Sequence, residues 1–291
     1  VILVGWKFGR FRCRDRLPRR SIRIRRPLHW YRDHRRRPAH DDRRKSRCVQ
    51  CNACGTLTMP VERTRQVGQL LADLGRVLLQ HPRQVRHAPN WLFSRLPAAI
   101  HTPRVGPWVC YDAKSWLDRR LIPKLRLFEW GSGSSTLYFA SIGCHVTSVE
   151  HDGEWANWVQ RELNSRSLHD RVDLLFVPPD PQPIAGDSVS GHPDYLGISF
   201  SAYVDAIKGE VYDGIIIDGR ARSACLNEAT KHIHSRGFIF LDDSQRSRYQ
   251  MALSKARESG FQSTNFSGLA PGKPGVNHSV VLERHTSCLA F

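Results

Sequence analysis

With 291 residues, 40% of them hydrophobic, the chain is long enough to form one large domain or two and to bury a sizeable core. Its formal net charge of +17 is local: residues 1–58 hold 18 Lys plus Arg against 4 Asp, a net of +14, while the other 233 residues hold 26 against 23, a net of +3. The basic balance therefore belongs to a tail rather than to the fold, and no apolar run approaches the roughly 18 residues that span a bilayer.

That tail is dominated by Arg, Pro and His and has no helix or strand period, so residues 1–58 are expected to be disordered. Met59 follows, and an ordinary amphipathic segment starts right after it; translation of a GC-rich upstream region would give such a tail, which makes it a candidate for non-native sequence. The competing reading is an arm that binds nucleic-acid phosphates or an anionic membrane surface. No aromatic or helical organisation accompanies the charge, which disfavours it. Cys48, Cys51 and Cys54 have metal-ligand spacing, with Cys13 or His40 to complete a tetrahedron, but the usual second pair is missing and no metal is assigned there. Cys110, Cys144, Cys225 and Cys288 stand singly, as reduced thiols of a cytoplasmic protein would.

In chain order, 61–80 reads as an amphipathic helix with Val67, Leu70, Leu71, Leu74, Val77 and Leu78 on one stripe, ended by His81-Pro82. Residues 88–112, with four prolines, read as an irregular connector, and 116–121 as a short helix. Residues 59–122 thus form a helical cap segment ahead of a domain over 123–291. Leu125, Leu127 and Phe128 begin a strand that stops at Glu129. A turn, Gly131-Ser132-Gly133-Ser134-Ser135-Thr136, leads into a helix at 137–140, and a second strand over 146–149 ends on Glu150, nineteen positions after Gly131. Glycines let backbone approach a ligand closely, and an acid at the next strand tip can accept both hydroxyls of a ribose.

Strands and helices then alternate. A helix over 152–163 precedes a strand at 172–177, after which Pro178-Pro179-Asp180 opens a loop to Ser199. A helix at 200–208 leads to an apolar strand at 212–217 ending in Asp218-Gly219-Arg220. A helix at 224–235, stopped by Gly237, precedes a strand at 238–241 ending in Asp242-Asp243-Ser244. A helix at 248–259 and two strands, 261–266 and 278–282, close the chain; their connection has the length of a hairpin. The expected fold is α/β, a doubly wound, seven-stranded, mostly parallel sheet with a C-terminal antiparallel hairpin, preceded by helices and the basic tail.

A dinucleotide site wants a third glycine where Thr136 stands, and Glu129 beside the turn would repel a pyrophosphate and suit a cation. Residues 125–152 resemble the first motif and second strand of the class I S-adenosylmethionine (SAM) dependent methyltransferases, and the likeness extends over roughly 115–285. It implies that Glu129, Gly131 and Gly133, with Ser132, Ser135 and Thr136 of the same turn, lie along the methionine side. It implies also that Glu150, followed by His151, holds the ribose, and that Asp180 touches the adenine. Asp218, Asp242 and Asp243 fall on the carboxyl edge of the sheet beside that cofactor, Asp218 being the foremost base or substrate anchor. The three also resemble the layout by which some members bind a divalent cation such as Mg²⁺, although Asp stands where Asn is expected. Arg220, Arg222, Arg246 and Arg248 near the same strand ends could neutralise an acidic acceptor.

His232 and His234 read as surface residues. The Asn/Asp-Pro-Pro-aromatic motif of DNA amino-group methylases is not found, which disfavours a nucleic-acid substrate. The expected activity is O-methylation of a small molecule or saccharide in the cytoplasm, with a nucleotide-dependent oxidoreductase and a non-catalytic SAM-fold binding module as alternatives.

Overall fold

The computed structural model describes residues 59–95, 106–180, 188–196 and 198–284. The tail with its cysteine cluster, Pro97, Pro103 and Cys288 lie outside the described residues.

Helix α1 (Met59–Gln80) is followed by a 3-10 turn (Pro82–His87) and helix α2 (Ala88–Ser94). The connector expected over 88–112 is therefore partly helical. Pro82 and Pro89 sit in the first turn of their helices, where a missing N–H costs nothing, so they start these elements instead of breaking them. Helix α3 (Tyr111–Arg120) is longer than the segment expected at 116–121, with Ala113 and Leu117 buried on one face.

The sheet begins with β1 (Arg126–Trp130), α4 (Ser134–Ile142), β2 (His145–Glu150), α5 (Gly153–Ser165) and β3 (Val172–Phe176). It continues with α6 (Ser201–Val204), β4 (Tyr212–Ile217), α7 (Arg222–His232), β5 (Ile233–Asp242), α8 (Gln250–Glu258), β6 (Phe261–Gly268) and β7 (Asn277–Arg284). The spatial order is β3-β2-β1-β4-β5-β7-β6, and β7 alone runs against its neighbours. The order reverses between β1 and β4, so the carboxyl ends of β1, β2 and β4 share one edge beside the point where an open α/β sheet binds ligands.

Side-chain alternation sorts the core into two layers. Phe128, Trp130, Ile215, Ile217, Ile239 and Leu241 pack on one face with Phe200, Tyr203 and the inner side of α7. Leu127, Ile216, Phe238 and Phe240 pack on the other with Leu117, Phe139 and Val146. Each fully buried side chain of this size contributes roughly 1.5–3 kcal/mol, so the central strands anchor both layers. Glu129 has the parity of Leu127 and is therefore carried toward α4.

Two expectations need correction. The helix placed over 200–208 is a single turn, Ser201–Val204, because Phe200, Tyr203, Val204 and Ile207 all enter the same core layer and the chain must turn to deliver the last of them. The helix placed over 224–235 stops at His232, and β5 starts at once, with Gly237 inside it rather than ending the helix. A Cβ on Gly237 would lie 2.8 Å from the carbonyl oxygen of Asp213, at the place where the β4–β5 register shifts. Glycine there permits an irregularity in the ladder, a role that resembles a stop signal in sequence.

Candidate functional site

The turn after β1 is shaped by its glycines. Gly131 has φ of +96°, and a Cβ there would lie 2.7 Å from the Cα of Gly219 after β4, so two glycine backbones touch where strand order reverses. A Cβ on Gly133 would lie 3.7 Å from the ring of Trp155, and Trp155 donates its indole N–H to the carbonyl of Ser132 at 2.7 Å. Of the two glycines expected along a ligand, Gly131 is covered by Gly219 and Gly133 lies beneath an aromatic ring. Helix α4 begins here, with Thr136 Oγ1 accepting the N–H of Gly133 at 2.8 Å.

Glu129 is fully buried. Its carboxylate accepts from Ser135, from Thr136 at 2.5 Å and from Ser148 at 2.8 Å, so it ties the β1 tip to α4 and β2. Burial pushes its pKa up to about 7, against the pull of the three hydroxyls. Glu150, at the tip of β2, has one oxygen held by the backbone N–H groups of His151 (2.8 Å) and Asp152 (2.9 Å), while the other accepts from Ser132 at 3.3 Å. The glycine turn and the second-strand acid are therefore in direct contact. His151 Nδ1 lies 2.6 Å from Glu150 Oε1 but out of hydrogen-bond alignment, and its Nε2 accepts from Arg220 at 3.1 Å. The hydroxyl of buried Tyr203 lies against the backbone of Gly219 and Arg220 without a hydrogen bond of normal geometry. These two polar atoms converge on the same edge. Asp180 has its N–H bonded to the Ser199 carbonyl at 2.8 Å.

The acids after β4 and β5 are handled differently. Asp218 Oδ1 is 2.8 Å from Arg222, and its side chain is about a third exposed. Enclosure raises its pKa, with Asp242 adding to the effect and Arg222 opposing it. Asp242 is buried, accepting from Ser279 at 2.8 Å and Lys273 at 3.1 Å. Asp243, in a left-handed conformation with φ of +53°, meets Arg246 at 2.5 Å and both Arg222 and Lys273 at 3.5 Å. Burial alone would raise the Asp243 pKa, but these cations hold it below the ordinary range. Asp218 is thus the member of the trio left open to a substrate.

Magnesium does not fit this arrangement. Lys273 and Arg222 occupy the space between the carboxylates and neutralise them, and no group of acidic, His or Cys side chains suited to a metal exists among the described residues. SAM fits better. Glu150 sits against the glycine turn, and two buried polar atoms, His151 Nδ1 and the Tyr203 hydroxyl, lack a hydrogen-bond partner there. Lys273, Ser148 and Tyr203 were not legible as site residues in sequence. Lys273 lies in the β6–β7 loop, and Ser148 and Tyr203 sit within runs that read as core.

No protein-family model matches the sequence, nor does a curated protein sequence. Among solved structures, the chain is similar to a putative rRNA-methylase from Clostridium thermocellum (10% identity, TM-score 0.44, 60% of this chain and 94% of that one). It is also similar to a putative caffeoyl-CoA O-methyltransferase from Staphylococcus aureus (14%, 0.42, 59% and 80%). A SAM-dependent O-methyltransferase from Thermotoga maritima gives 13%, 0.43, 62% and 67%. Strand order, with β7 reversed between β5 and β6, decides the architecture. The fold is the doubly wound, seven-stranded, mostly parallel α/β sheet with a C-terminal antiparallel hairpin expected from the sequence. Cys110, Cys144 and Cys225 are buried free thiols, and no helix of the described residues is long and apolar enough to cross a membrane.

Proposed function

We propose that the protein is a SAM-dependent methyltransferase acting on an oxygen of a small molecule or saccharide. The observation that carries this reading is the contact between Glu150 and the glycine turn. A carboxylate fixed by two backbone N–H groups at the β2 tip, with its second oxygen turned to Ser132, is placed to accept ribose hydroxyls beside the turn. When bound, SAM would supply a methyl group on a cationic sulfonium.

The chain's own residues would do the rest. Glu150 orients the nucleoside, with Trp155 and the backbone of Ser132 and Gly133 forming the wall beside it. Glu129 supports that wall from behind rather than touching a ligand, because all of its bonds are to Ser135, Thr136 and Ser148. Asp218 takes or holds the proton of the acceptor hydroxyl at its exposed oxygen; its raised pKa makes it a better base than an ordinary carboxylate, and Arg222 fixes its orientation. Asp242 and Asp243 anchor the β5 tip and the β6–β7 loop through Lys273.

Incubation of the protein with methyl-labelled SAM and a fractionated saccharide and small-molecule extract tests the reading. Label should enter a low-molecular-weight product, and Asp218→Asn should reduce the rate by about 100-fold or more. Cofactor binding with no transfer to any fraction would leave a non-catalytic binding module in its place.

A further inference from the structure

Beside Asp218, a cleft of about 120 Å³ opens between the 188–192 segment and the start of α7, lined by Ser190, His192, Arg220, Ser223, Arg248 and Tyr249 among others. That volume holds several waters or one compact polar group, and not a whole nucleoside. Four arginines reach its rim, but they are unequal. Arg222 is committed to Asp218, Asp243 and the carbonyls of Asp218, Gly219 and Asp242, and Arg246 is committed to Asp243. Arg220 and Arg248 have no carboxylate partner among the described residues. Arg220 donates to His151 and lies over the Tyr195 ring at 5.1 Å. Arg248 lies over the Tyr249 ring at 5.1 Å, and its hydrogen bonds, to the Tyr249 hydroxyl at 3.4 Å and the Gly191 carbonyl at 3.5 Å, are both at the long end. Two guanidinium groups thus face one small cleft with donors to spare.

We propose that this cleft receives a phosphate-type dianion, a phosphate or sulfate group, carried by the acceptor. Arg220 and Arg248 supply two positive charges and planar donor forks, and the Tyr249 hydroxyl and the positive end of α7 add to them. A tetrahedral dianion with three free oxygens uses this donor set more fully than a two-oxygen carboxylate does. The cleft begins at Gly219, the chain neighbour of Asp218, so an anion seated here holds the rest of the acceptor at the proposed base. Arg220 also joins the cleft to His151 and through it to Glu150, so acceptor and cofactor sites share a structural link. The assignment of this anion to a methyl acceptor rests on the proposed function; the anion site itself does not.

The test titrates the full chain with inorganic phosphate against sodium chloride at matched ionic strength and follows the melting temperature. Phosphate should raise it, and glucose 6-phosphate should compete for the same site. Arg248→Gln and Arg220→Gln should each weaken apparent phosphate affinity about tenfold. Arg257→Gln, exposed on α8, should leave it unchanged. Arg248→Gln should keep its response to the demethylated cofactor. No phosphate response in the native chain, or equal responses in Arg248→Gln and Arg257→Gln, overturns the anion site whatever the cofactor does. A phosphate response without any cofactor response overturns the proposed function and leaves the anion site standing. Competition by a short oligonucleotide but not by glucose 6-phosphate overturns the small-acceptor assignment.

Discussion

The two halves of the sheet's carboxyl edge carry acids in opposite ways. At the β1 and β2 tips, Glu129 and Glu150 are bonded to neutral partners, namely three hydroxyls for the first and two backbone N–H groups and a serine for the second. At the β4 and β5 tips, Asp218, Asp242 and Asp243 are matched by Arg222, Arg246 and Lys273. Neutral donors bring no counter-charge to these acids, and at Glu129 burial answers that by raising the pKa to about 7. An acid paired to a cation is electrostatically spent, and its energetic role is to hold a loop. Under the proposed function, cofactor recognition falls to the first half. Acceptor positioning would fall to the second, where partly open Asp218 is the exception to full ion pairing.

Gly219 is where the halves meet, and disturbing it should have the largest effect. An added Cβ would overlap the Tyr203 hydroxyl at 2.0 Å and press on the Gly131 N at 2.9 Å. Gly219→Ala is expected to cost about 3 kcal/mol and to lose cofactor binding at the same time, measured by chemical denaturation and ligand titration. Unchanged stability would show that the β1 and β4 loops are not in contact.

A second test separates the halves by the sign of their pH dependence. Burial holds the Glu129 pKa at about 7 against an ordinary 4.5, so the folded state keeps a proton that the unfolded chain has lost. Its contribution to stability therefore falls as pH climbs from about 4.5 to about 7, by up to roughly 3 kcal/mol. Glu129→Gln should flatten that fall. Asp243 is depressed below its ordinary 3.8, so its contribution is present above that value and disappears on acidification. The stability gap between the native chain and Asp243→Asn should accordingly close as pH drops. Parallel pH profiles for native and variant chains would contradict the assignment for either residue.

Much of this was legible because strands and turns obey local rules. The apolar run Ile215-Ile216-Ile217 and the glycine turn at 131–133 declared themselves by residue type, and so the sheet could be counted from sequence. The acids at the strand ends were equally visible. Their partners were not, because Lys273 reaches Asp242 from 31 positions away and Ser148 reaches Glu129 from 19. Sequence spacing carries no information on such pairings. The layout that resembled a cation site is a network of ion pairs, and Glu129, expected on the methionine side, is buried among three hydroxyls. Helix ends failed for a related reason: tertiary packing of Phe200, Tyr203 and Ile207 overrode local helical preference.

Isothermal titration calorimetry of the demethylated cofactor with the native chain and with Glu150→Ala tests the central claim most directly. The native chain should bind it in preference to NAD, and Glu150→Ala should weaken that binding by about tenfold or more. Equal affinity in the two proteins, or preference for NAD, would contradict the assignment of the β2 tip as the ribose site.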